Sequence, residues 1–111
     1  MPGLTVDTPD AVFAALADPT RRQVLRLVAE KGPATATALQ RELPVSRQAI
    51  VKHLVVLRTA GLVHGARQGQ EVRYGLVPQP LGDAAAWLTA LGARWDERLL
   101  RLRDYLAATD R

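Results

Sequence analysis

Ser46, Arg47, Gln48 and Lys52 set a hydroxyl, a forked guanidinium, an amide that both donates and accepts, and an ammonium within one seven-residue stretch. On a helix turning about 100° per residue, Gln48, Lys52, Val55 and Thr59 gather on one side, with Arg47 and Val51 at its edge. Ile50, His53, Leu54 and Leu57 gather on the other and form a core face. The polar side suits a duplex: Gln48 can read adenine, Arg47 guanine, and Val51 a thymine methyl. The plainer alternative is a solvated face behind a helix cap. Ser46 has two compatible readings, an N-cap and a phosphate contact, with capping first. His53 falls on the inward side beside Leu54, where a packed histidine or one near DNA is a better reading than a metal ligand.

Other cations extend the pattern. Arg21 and Arg22 open a helix whose N-terminal N–H groups favour a phosphate, although an ion pair with a local Asp would also suit Arg21. Arg67 and Arg73 flank a turn at Gly69 and can straddle phosphates or enter a minor groove. The charge is unevenly spread: residues 1–18 carry −3, residues 19–77 carry +7, and residues 78–111 are neutral, for a total of +4 over 111 residues. A basic middle is the footprint of a polyanion partner, though many solvated surfaces share it. Catalysis finds no support, because the hydroxyls sit at caps, the two histidines lie on separate elements, and no Gly-rich phosphate loop is present. There is no cysteine, so thiolate metal sites and disulfides are excluded. Residues 1–10 lack a signal-peptide pattern and no apolar run is long enough for a membrane span, which points to the cytoplasm.

These side chains need elements to position them. Thr8 with Pro9 starts a first short helix carrying Val12, Phe13 and Leu16, and Asp18 with Pro19 starts a second that ends at Gly32 and Pro33. Thr35 caps a helix of barely two turns that stops before Pro44, and after a three-residue break Ser46 caps a longer helix running to Ala60, stopped by Gly61. Two helices joined so tightly must cross steeply, which is helix-turn-helix geometry. Beyond Gly61 the period becomes two: residues 62–67 and 71–77 read as a hairpin around Gln68-Gly69-Gln70. A final helical pattern runs through Leu81, Ala84, Leu88, Leu91, Trp95, Leu99, Leu102 and Leu106. Its apolar seam exceeds what one small domain can cover. Trp87, Leu88, Leu91 and Trp95, with Phe13 and Leu16 from the first helix, are therefore candidate dimer contacts; the alternative is packing on the domain's own core.

This order predicts a mainly α fold with a small β-hairpin, a winged helix-turn-helix with a long C-terminal dimerisation helix. Residues 1–77 form the DNA-binding unit, and residues 78–111 form the helix packed on the same domain. Four segments carry a resemblance: Leu16-Ala-Asp-Pro-Thr-Arg-Arg22, Ser46-Arg-Gln-Ala-Ile-Val-Lys-His-Leu54, Leu57-Arg-Thr-Ala-Gly-Leu-Val63 and Glu71-Val-Arg-Tyr74. Together they resemble the ArsR-type bacterial repressors over about residues 8–77, and most of all a cysteine-free branch with tryptophans on the last helix. The resemblance implies a symmetric dimer on a palindromic operator, with first and last helices at the interface, and a histidine at position 53 that binds no metal.

Where the metal-sensing branches carry cysteines, this chain has Thr35-Ala36-Thr37, and its last helix has no histidine. No metal or other cofactor is expected. The wing is thinner than in the resembling proteins, with His64, Gly65, Gln68 and Gln70 where further cations often stand, and Val55 replaces a common lysine. Each missing phosphate contact flattens the salt dependence of binding by nearly one unit of slope. The favoured function is a homodimeric, sequence-specific repressor of operator DNA, controlled by an unknown small molecule or a partner protein. The alternative is a protein-interaction scaffold that uses the long helix and binds DNA little.

Overall fold

Capping by side chains sets most of the element boundaries in the computed structural model, which describes residues 9–109. Helix α1 (Asp10–Leu16) starts at Pro9, which offers no side-chain cap; Thr8, expected to supply one, lies outside the described residues. Helix α2 (Pro19–Lys31) is capped by Asp18, whose carboxylate accepts from the Arg21 N–H, and Pro19 occupies the position that has no donor to lose. Strand β1 (Ala34–Thr35) leads into α3 (Ala36–Gln40), capped by the Thr35 hydroxyl. Helix α4 (Arg47–Thr59) is capped by Ser46, which accepts from the Ala49 N–H at 3.1 Å. Strands β2 (Val63–Gln68) and β3 (Glu71–Leu76) form the hairpin, and α5 (Gln79–Thr109) follows.

The core lies where α2, α3 and α4 meet the root of the hairpin. Val24 and Val28 of α2, Leu39 of α3, Ile50, Leu54 and Leu57 of α4, and Leu62 are fully buried. Among the described residues no polar or charged side chain is buried with them. The inward face of α4 is thus fixed by three residues, which leaves the orientation of its opposite face determined as well.

Three boundaries differ from the sequence reading. The turn between α3 and α4 spans residues 41–46 rather than three residues, because the helix gives way to i→i−3 bonds, Glu42 N to Leu39 O and Leu43 N to Gln40 O, ahead of Pro44. The hairpin turn is tighter than expected: Gln68 pairs with Glu71, leaving Gly69 and Gln70 as a two-residue loop with Gly69 at φ 63°, the arrangement of a type II′ turn. The sheet has a third strand, in order β1-β3-β2 and all antiparallel, with Ala34 opposite Tyr74 and Thr35 opposite Arg73. Two residues are too few to show a period, so β1 leaves no trace in the sequence pattern.

Helix α5 has 31 residues and spans about 46 Å. It meets the rest of the molecule at its base, where Leu81 and Ala84 join the core and Trp87 stands edge-on to Phe13 with ring centroids 5.5 Å apart. Among the described residues, packing of this helix on the core is seen in these first turns. From Leu88 to Ala108 every residue is exposed. The radius of gyration is accordingly 19.7 Å, against about 13 Å for a compact chain of this length, and the molecule measures 73 × 37 × 18 Å.

Candidate nucleic-acid interface

The outward face of α4 carries the residues proposed to read a duplex. Ser46, Arg47, Gln48 and Lys52 are exposed, and none of the described residues covers them. Val51 is half-buried against the core, so only part of its side chain is offered outward. Arg47 is steadied by a contact that leaves no sign in the sequence pattern: its Nε donates to Thr37 Oγ1 at 3.3 Å. That bond joins the first turn of α4 to α3 across the turn of the motif, so Thr37 acts as a positioning residue for the guanidinium. Spacing of ten residues carries no periodic signal.

His53 is half-buried, as its inward position implies, and lies near enough to Asp18 to act on its carboxyl. The Asp18 carboxyl lies below its ordinary range chiefly because it accepts the Arg21 backbone N–H, with the charges of His53 and Arg21 adding to the effect against partial burial. His53 therefore belongs to the α2–α4 junction rather than to the outward face.

Arg21 and Arg22 turn away from the open N-terminus of α2. The Arg21 Nη1 donates to the carbonyls of Ala15 at 3.1 Å and Ala14 at 3.5 Å, and the Arg22 Nη1 donates to Leu16 at 2.6 Å. Both guanidinium groups close the C-terminal end of α1, where unpaired carbonyls and the helix dipole favour cations. A seven-residue helix has too few internal bonds to hold itself, so these two side chains stabilise α1 in place. Arg21 meets Asp18 through its backbone, not through an ion pair.

The wing brings Arg67 and Arg73 to one hairpin but not to one face. Arg67 stands opposite Val72 and Arg73 opposite Ala66, and adjacent positions in a strand point to opposite faces. Arg67 is exposed near the tip; Arg73 is partly shielded and pairs with Glu71 at 3.5 Å. The two guanidinium groups therefore leave the hairpin on opposite faces, and Arg67 is the more exposed of the two. A cleft of about 270 Å³ between Arg47 and Val51 of α4 and Glu71, Val72 and Tyr74 of the hairpin shows that the wing flanks the start of α4.

The proposed dimer contacts divide. Phe13 and Leu16 are half-buried against their own core, whereas Trp87, Leu88, Leu91 and Trp95 are exposed at 41%, 51%, 37% and 53%. Leu99, Leu102 and Leu106 continue the same exposed seam. Among the described residues no group of three or more His, Cys, Asp or Glu side chains converges, and no helix is long and apolar enough to cross a membrane.

Comparison with known proteins agrees with this geometry. Residues 16–66 match a protein-family model described as a helix-turn-helix domain. Over 95 residues the chain is 42% identical to the HTH-type transcriptional regulator Rv2034 of Mycobacterium tuberculosis, covering 86% of this chain and 85% of that protein. It is 35% identical to the transcriptional repressor SdpR of Bacillus subtilis, over 69% of this chain and 84% of the relative. Among solved structures, an ArsR-like transcriptional regulator from Rhodococcus sp. RHA1 superposes with a TM-score of 0.78 at 39% identity, over 92% of this chain and 94% of that one.

Proposed function

The chain belongs to the ArsR-type family of winged helix-turn-helix transcriptional regulators, which bind DNA and are not enzymes, and within that family we propose that it is a homodimeric repressor acting on a palindromic operator in the cytoplasm. Helix α4 enters the major groove with Arg47, Gln48 and Lys52 toward base edges and phosphates, and the hairpin follows the flanking backbone through Arg67. The observation that carries this reading is the uncovered polar face of α4, held at a fixed angle by three buried residues on its other side. The seam of α5 supports pairing of two chains, since an apolar face of this length is unstable in water. With no cysteine in the sequence, control falls to a small organic molecule or a protein in place of a thiolate-bound metal.

Fluorescence anisotropy with labelled DNA from upstream of the protein's own gene and with scrambled DNA tests the proposal. Specific binding at moderate salt is expected, and equal affinity for both duplexes at physiological salt overturns it. Arg47→Ala should cost about tenfold or more in affinity and relax preference at one base pair, as loss of a bidentate base contact does. Lys52→Ala should weaken all sequences alike and reduce the salt slope by about 0.9. A scaffold that docks proteins along α5 would also display the seam, but it would show negligible DNA affinity before any substitution.

A further inference from the structure

A groove of about 380 Å³ opens between α1 and the C-terminal half of α4, walled by Ala11, Ala14 and Ala15 on one side and Val55 and Val56 on the other, with Arg21 at its end. Its size is that of a small-molecule site. Val55 and Val56 are exposed at 46% and 38%, and they are the large exposed hydrophobic residues found outside α5 among the described residues. Arg21 is the charged residue of the lining, and its Nε is shut off from solvent without a hydrogen-bond partner. An unsatisfied donor on a cation is costly enough to call for an explanation. Its Nη1 is taken by the α1 carbonyls, which leaves the side-on edge of the guanidinium, the edge that grips a carboxylate with two parallel bonds. A purely apolar cover, such as a leucine seam, would leave that edge without an acceptor.

We infer that this groove is an effector site for a small amphiphilic carboxylate, its chain lying between the alanines of α1 and the valines of α4 and its head on Arg21; the inference rests on the regulator reading above only for its consequence on DNA. Because the Nε is shut off from solvent, the guanidinium must rotate for this edge to meet the ligand. The site is coupled in two directions. Val55 and Val56 lie on the same rigid helix as Arg47, Gln48 and Lys52, and Arg21 is what closes the end of α1. A carboxylate that draws Arg21 off the Ala14 and Ala15 carbonyls loosens α1, and α1 reaches α5 through the Phe13–Trp87 contact.

Calorimetric titration of octanoate into the full chain, followed in parallel by tryptophan fluorescence, tests this without DNA. One saturable site per chain is expected, with 1-octanol at least about tenfold weaker. Arg21→Gln, which keeps the Asp18 cap through its backbone, and Ala14→Leu, which fills the groove from an exposed helical position, should each weaken octanoate by about tenfold or more. Ala14→Leu decides the matter if Arg21→Gln does not fold. Absence of saturable binding at millimolar octanoate, equal binding of octanol, or undiminished binding by Ala14→Leu overturns the site. Binding that tightens as the protein is diluted assigns the groove to a second copy and also overturns it. Adding octanoate to the anisotropy measurement then reads the consequence: a changed affinity for upstream DNA is expected. Failure of DNA selectivity with intact octanoate binding would remove the regulator reading and leave the site.

Discussion

Ser46 shows how two roles of one side chain can be separated. Its Oγ accepts the Ala49 N–H while the hydroxyl proton stays available to a phosphate. Ser46→Ala removes both and should cost about 1 kcal/mol of stability, read as a lowered urea midpoint. Ser46→Asp keeps an acceptor at the cap but sets a negative charge where a phosphate is to lie, so its urea midpoint should stay near the parent's while DNA affinity falls about tenfold. If Ser46→Asp binds DNA as the parent does, the hydroxyl is a cap and nothing more. Asp18 gives a second test, through pH. Its carboxyl is held below the ordinary aspartate range, first by the Arg21 N–H, so its contribution is fully present above that range and is lost as pH falls through the lowered native value. Asn also caps helices but does not titrate. Asp18→Asn should therefore melt close to the parent near neutrality and show a shallower decline of Tm on the acid side; parallel acid limbs would show that the charge contributes nothing.

The elements were legible in proportion to how local their causes are. The caps at Asp18, Thr35 and Ser46, the stop at Gly61 and the change of period at the hairpin are each written within a few residues, and each is found in place. What escaped was non-local. Strand β1 exists because Ala34 and Thr35 meet Tyr74 and Arg73 about forty residues on, and Thr37 matters because α4 brings Arg47 against it. The reach of Arg21 and Arg22 back to α1 could not be told from spacing, since a long cation near a helix start fits a phosphate and a neighbouring carbonyl equally well. Gly61 belongs to the legible class and ties α4 to the wing. Its φ of 80° is left-handed, and the nearest atom to an added Cβ is Pro80 Cγ at 3.8 Å, so a substitution meets a backbone penalty and no clash. Gly61→Ala should lose about 1–2 kcal/mol by urea denaturation, and Gly61→Asn less, because Asn tolerates this region. Equal losses would point to packing at Pro80 instead.

At the scale of the whole molecule, the fold leaves a helix without a floor. Leu88, Leu91, Trp95, Leu99, Leu102 and Leu106 advance by steps of three, four, four, three and four, which average 3.6 residues, the period of a straight helix rather than the 3.5 that winds a left-handed coil. In the proposed dimer two such seams would pack as nearly straight rods, covering together the apolar area that each chain exposes. Leu99 is the position that isolates the proposed contact, since at 57% exposure it lies beyond the residues of α5 that pack on the core among the described residues. Leu99→Asp should leave the far-UV circular dichroism unchanged and convert the sedimenting species from dimer to monomer at micromolar concentration. A monomer holds one half-site at a time, so affinity for a two-half-site operator should drop about a hundredfold or more while a single half-site is bound as before. A variant that remains dimeric would place the interface nearer the base of the helix, around Trp87 and Phe13. One that becomes monomeric yet keeps full operator affinity would show that pairing along α5 is not what presents the two recognition helices to DNA.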